Sequence, residues 1–189
     1  MRDIILYEIL IPSLHILYKI DYKNILYGVS ERNICARLAH HIENKMRKYD
    51  RERETTLFRG YYADVEYDKL GDGSVKQYGF LHDRPKRMIS DLLIQSRGEP
   101  RNLLAVEMKR KKNYDKRGDD RKRLMAMVSE SHEGSDLYCV YDTLVGTFII
   151  FSKDGVKIEV YESVKGIGAR TAVIELAYDV GRGLIMEYA

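Results

Sequence analysis

The chain has 189 residues, 44% of them apolar and 32% charged, with three Pro, 14 Gly and a formal net charge of +3. At about 100–200 residues per domain this is one domain, and the mixture excludes disordered, collagen-like and repeat chains. Two cysteines, Cys35 and Cys139, cannot build a disulfide scaffold. No apolar run reaches the ~18 residues of a membrane span, and Met1-Arg2-Asp3 does not open like a signal peptide. These features fit a soluble cytoplasmic protein.

Residues 1–27 read as one or two short helices. Ile4, Ile5, Leu6, Ile9, Leu10, Leu14, Ile16, Leu17 and Ile20 are apolar around most of the helix circumference, and Pro12 breaks or kinks the run. A helix apolar on most sides buries most sides, so this extension either packs on the main core, residues 28–189, or forms a homodimer contact. A second helix starts at Ser30, a suitable N-cap, with Glu31 in its first turn. Ile34, Cys35, Leu38, Ala39, Ile42 and Met46 form its buried stripe, and Glu31 continues the face of Cys35, Leu38 and Ile42.

From Tyr61 the period changes to two, which predicts a strand over Tyr61–Tyr67, closed by a turn at Gly71-Asp72-Gly73. Arg87–Ile94 reads as an apolar strand with Asp91 near its centre. Turn residues Arg97-Gly98-Glu99-Pro100 follow, then an apolar strand over Asn102–Lys109. Beyond it the chain runs KRKKNYDKRGDDRKR from Lys109 to Arg123 and enters a helix near Asp119 and Asp120. Further strands are expected at Leu137–Tyr141, Val145–Phe151, Val156–Tyr161 and Ala172–Tyr178, with a hairpin turn at Asp154-Gly155. The order predicts an α/β (α+β) fold, a mixed β-sheet flanked by helices.

Chemistry concentrates at the end of the Asn102–Lys109 strand. Alternation puts Ala105, Glu107 and Lys109 on one face, and Asp91 on the preceding strand meets Glu107 if the two strands form a hairpin. Two adjacent carboxylates repel unless a divalent cation sits between them. Their hard oxygens, with the Met108 carbonyl, suit Mg²⁺ or Mn²⁺. Lys109 would orient or deprotonate an attacking water or neutralise transition-state charge. An acid two residues before a lysine is common in this chain, as at Asp21/Lys23, Glu43/Lys45 and Asp120/Lys122. The apolar strand pair and the following basic helix set Glu107/Lys109 apart. Asp64 and Glu66 share a strand face and could join the acids. The five histidines are scattered without metal-ligand spacing to the cysteines.

Asp91 followed by Glu107-Met108-Lys109 resembles the PD-(D/E)XK nuclease superfamily, with Ser90 where the motif's name has proline. The helix opened by Ser30-Glu31-Arg32 is similar to that family's first core helix, and the elements follow its order over residues 28–155. The resemblance implies a restriction-endonuclease-like core and a Mg²⁺-dependent nuclease acting on DNA more than RNA, with Mn²⁺ substituting. It also implies metal binding by Asp91, Glu107 and the Met108 carbonyl, service of the nucleophilic water by Lys109, and Glu31 as an additional acid. A role in defence against foreign DNA fits small standalone members of that family. The basic residues expected to follow the phosphate backbone are Arg110, Lys111, Lys112, Lys116, Arg121 and Arg123. The alternative is a catalytically silent nucleic-acid-binding or assembly module with the same fold.

Overall fold

The computed structural model describes residues 1–66, 77–80, 86–87, 89–96, 102–116, 118–130, 137–139 and 143–186. The expected turns at residues 71–73 and 97–100, together with Tyr67, Met88, Tyr141 and the side chain of Lys116, lie outside the described residues.

The N-terminal apolar run forms a π-helical segment, Ile4–Leu10, that leads directly into α1 (Ile11–Ile20), with Pro12 in the first turn of α1. A short α2 (Tyr22–Leu26) follows. Ile5, Leu6, Ile9, Leu10, Leu14 and Leu17 are wholly buried in the same cluster as the sheet. At roughly 1.5–3 kcal/mol per fully buried aliphatic side chain, this contact is part of the core. Tyr18 fixes it further, its hydroxyl reaching the Ser152 and Gly155 carbonyls at 2.7 Å each.

Helix α3 (Glu31–Glu52) begins where the sequence places it: the Ser30 hydroxyl accepts from the Asn33 N–H at 3.3 Å. It packs Ile34, Leu38, Ile42 and Met46 against the sheet. No helix among the described residues is long and apolar enough to cross a membrane.

The strands are β1 (Tyr61–Val65), β2 (Gln77–Phe80), β3 (Lys86–Arg87), β4 (Leu92–Ser96), β5 (Asn102–Arg110), β6 (Leu137–Cys139), β7 (Thr143–Ser152), β8 (Gly155–Val164), β9 (Ile167–Asp179) and β10 (Gly183–Met186). Seven of them form one mixed sheet in the order β1-β4-β5-β7-β8-β9-β10; β3-β2-β6 form a small second sheet. Every neighbouring pair in the large sheet is antiparallel except β5 and β7, which run parallel. The connection between those two carries α4 (Gly118–Val128), as a parallel pair requires.

Two expectations need correction. Asp91 does not sit near the centre of a strand: β4 begins one residue later and runs on through Gln95 and Ser96. Gln95 can be buried because its amide donates to Asp64 at 2.8 Å, a partner that lies 31 residues away. The strand expected over Tyr61–Tyr67 ends at Val65, because Glu66 turns to φ 52°.

The sheet separates two cores. On one face Leu92, Leu104, Val106 and Met108 pack with α3 and the N-terminal helices. On the other, Leu93, Ala105, Phe148 and Tyr161 pack with Leu124, Met127 and Val128 of α4. Glu107 and Lys109 alternate with the first set and therefore lie on the α4 face.

Candidate active site

The β4–β5 register pairs Leu92 with Val106 and Leu93 with Ala105. Continued by one residue, it sets Asp91 opposite Glu107, and Asp91 shares the α4 face with Leu93. Opposed residues on an antiparallel pair have their Cβ atoms about 4.5–5.5 Å apart. Two elements hold the Asp91 backbone: its carbonyl accepts from the Cys35 thiol of α3 at 3.1 Å and from the Glu66 N–H after β1 at 3.2 Å. Burial pushes the Cys35 thiol up, so it stays protonated and donates. The Asp91 carboxylate accepts from the Met108 N–H at 2.7 Å and from Lys109 Nζ at 3.4 Å. Of Met108 it is the N–H that engages Asp91, while its side chain is buried on the opposite face.

Lys109 Nζ also faces Asp120 Oδ2 of α4 at 3.4 Å. Burial pulls this ammonium down, but Asp91 and Asp120, followed by Glu107 and Glu31, outweigh it and hold Lys109 above its usual value. Lys109 is therefore a fixed positive charge and a poor base.

Glu107 is fully buried. Burial is the first cause pushing its carboxyl up to about 8; the Arg123 hydrogen bond opposes this and Asp91 adds to it. Arg123 Nε donates to Glu107 Oε1 at 2.7 Å and its terminal nitrogen donates to Asp120 Oδ1 at 2.8 Å. The other oxygens of both acids, Glu107 Oε2 and Asp120 Oδ2, are buried without a hydrogen-bond partner. The Lys109–Asp120 contact is thus an ion pair without hydrogen-bond geometry.

Glu31 lies beside this cluster, at its exit. Its Oε1 accepts from the Arg110 N–H at 3.0 Å and from the Asn113 amide at 2.8 Å, which clamps the start of α3 to the end of β5. Asp64 accepts from Gln95 at 2.8 Å and Glu66 pairs with Arg32 at 3.2 Å.

Three of the six expected phosphate-tracking residues are occupied inside the chain. Arg110 donates to the Ile25 and Val29 carbonyls and lies over the Phe151 ring. Arg121 forms a fork on buried Glu159 at 2.7 and 2.9 Å and lies 4.2 Å from the Phe148 ring centre. Arg123 belongs to the Glu107–Asp120 network. Lys111 and Lys112 are exposed.

Sequence reasoning missed Asp120 as a site residue. Its position in the first turn of α4 has a sufficient local explanation in the helix dipole, and nothing local names Lys109 as its partner.

The donor set fits a hard divalent cation in part. With Glu107 ionised, Asp91, Glu107 and Asp120 carry three negative charges against the two positive charges of Lys109 and Arg123; with Glu107 protonated the charges balance, and two buried carboxyl oxygens lack partners. Hard oxygen ligands of this kind suit Mg²⁺. Among the described residues no three His, Cys, Asp or Glu side chains are clustered as a metal site. Lys109 and Arg123 bridge the acids instead, and a bound ion would have to take over the charge neutralisation that these two provide. Compared with protein-family models, curated proteins and solved structures, the chain matches none.

Proposed function

We propose that the chain is a Mg²⁺-dependent nuclease that hydrolyses phosphodiester bonds in nucleic acid, with DNA ahead of RNA. The observation that carries this reading is the placement of Asp91, Glu107 and Lys109 on one face at the carboxyl end of β5, beside its parallel neighbour β7. Ligands of open α/β sheets bind at such strand ends. The succession α3, β1, β4, β5, α4, β7 supports it, because this is the order implied by the PD-(D/E)XK resemblance.

Asp91, Glu107 and the Met108 carbonyl are the groups that would hold Mg²⁺, with Mn²⁺ as a substitute. Bound there, the ion supplies Lewis-acid polarisation of the phosphate and acidifies a water. The chain's own part is electrostatic. Lys109 keeps its proton and stabilises negative charge on the phosphoryl oxygens as it grows. Asp91 and Asp120 hold that ammonium in place from two sides. Lys111 and Lys112 contact the phosphate backbone, so affinity falls as salt rises.

One observation favours the second reading, a silent nucleic-acid-binding or assembly module: Glu107 is fully buried and already paired with Arg123. Plasmid and single-stranded DNA incubated with Mg²⁺ or Mn²⁺, with and without EDTA, separate the two. The nuclease reading expects metal-dependent cutting that both Asp91→Ala and Lys109→Ala abolish. Tight binding with no cutting by the wild type or either variant would establish the module.

A further inference from the structure

The α4 face of the sheet continues past Lys109 as a row of directly opposed residues. Lys109 stands opposite Ile150, Ile150 opposite Lys157, and Lys157 opposite Glu175. One step inward, α4 covers the face, where Arg121 lies over Phe148 and grips Glu159. Lys109 and Ile150 are still buried, while Lys157 and Glu175 at the far end of the row are open to solvent. Beside them lies a groove of about 420 Å³ walled by Lys111, Ile150, Ser152, Lys157, Glu175 and Ala177, with side-chain-free Gly155 at its end. That volume falls in the range of small-ligand sites, ~300–1,000 Å³.

Its charges select among occupants. Lys111 and Lys157 are balanced by Asp154 and Glu175, and Lys157 is paired with Glu175 at 2.6 Å. A balanced groove repels as much phosphate as it attracts, so it suits an uncharged flat ring. Ala177 and the edge of Ile150 offer apolar contact, and the Asp154 carboxylate is an acceptor for exocyclic amines. Lys111, two residues beyond Lys109, supplies one cation where the groove adjoins the strand end.

We propose that this groove holds the nucleotide next to the scissile phosphate, its base on Ile150 and Ala177 and its outer phosphate at Lys111, and that the substrate is single-stranded nucleic acid. This rests on the nuclease reading and names its substrate class. A paired base reaches the groove only by leaving its stack, a cost that a single strand has already met.

Fluorescence anisotropy with a labelled single-stranded oligonucleotide and its duplex, in EDTA and in Ca²⁺, tests the proposal without requiring cleavage. Wild type should bind the single strand at least about tenfold tighter than the duplex, within the range of base-contact energies. Lys111→Ala should weaken single-strand binding about fivefold or more. Ala177→Leu, which fills the groove, should bring single-strand affinity down to that of the duplex. Lys48→Ala, an exposed site on α3, should change neither. Circular dichroism confirms that each variant is folded, and if Ala177→Leu does not fold, Lys111→Ala alone decides. Equal affinity for the two wild-type substrates, or unchanged single-strand binding in either folded variant, overturns the groove. If the wild type cuts DNA while the variants keep their affinity, the groove fails and the nuclease stands. Groove-dependent binding without metal-dependent cutting gives the converse.

Discussion

Arg123 donates to Glu107 across 2.7 Å at a position where the acid has no contact with solvent. Removing one partner of a buried pair commonly costs ~3–5 kcal/mol, because the other charge is left unpaired. Glu107 can escape part of that by keeping its proton, so Arg123→Ala should cost about 3 kcal/mol at pH 6 and more at pH 9. Urea unfolding at the two pH values checks this. A destabilisation independent of pH would show that Glu107 is not the residue left behind.

The same carboxyl gives a stability profile whose direction is fixed. Its folded value, about 8, lies above the ordinary 4.5, so the folded state binds the extra proton between those values. Stability from this group is complete below about pH 4.5 and lost as pH rises through about 8. Wild type should therefore lose stability between pH 6 and 9, and Glu107→Gln, which cannot ionise, should flatten that slope. A variant as steep as wild type places the titrating group elsewhere.

Metal binding should be linked to that proton. A carboxyl ligates only as the carboxylate, so at pH 7 the ion must displace a proton from Glu107. Calorimetric titration with Mn²⁺ in buffers of different ionisation enthalpy should show release of nearly one proton. Affinity should rise by up to about tenfold per pH unit from 6 towards 8 and then level. Affinity that is flat over this range would exclude Glu107 as a ligand.

How much of this was legible in the sequence depends on how local each partner is. The Glu107/Lys109 pair on one strand face, the Ser30 cap and the Asp154-Gly155 hairpin all follow from neighbouring residues, and the structure has them in place. Asp91 is one residue outside β4 because the apolar run around it does not show where pairing begins. The π-helical segment at Ile4–Leu10 has no signature distinct from an α-helix that is apolar all round. The basic run misleads for the same reason. Charge density cannot reveal that Arg121 is held by Glu159, 38 positions away, or that Arg110 fastens the chain between α2 and α3.

Asp120 is the acid that the sequence did not single out, and it should matter through Lys109 and Arg123. Outer partners that orient site residues typically contribute 10–100-fold. Asp120→Asn keeps the size of the side chain and removes the charge that faces Lys109 at 3.4 Å. Cleavage kcat should drop by about that factor with KM little changed, and Asp120→Glu should restore part of it. A loss confined to KM would assign Asp120 to substrate binding instead.

Gly168 tests how α4 is seated over the site. A Cβ at this position would lie 2.0 Å from the Met125 carbonyl oxygen of α4, and the Gly168 N–H already donates to the Ser129 hydroxyl at 2.8 Å. The obstacle is backbone, so it cannot swing aside as a side chain could. Gly168→Ala must push β9 and α4 apart, and overpacking of this kind costs ~1–3 kcal/mol or more. Because α4 carries Asp120 and Arg123, the strain also reaches Lys109 and Glu107. Thermal unfolding should show the loss of stability, and cleavage at a temperature where the variant is fully folded should fall with it. Full activity in a destabilised Gly168→Ala protein would mean that the seat of α4 on β9 does not set the position of the two site residues it bears.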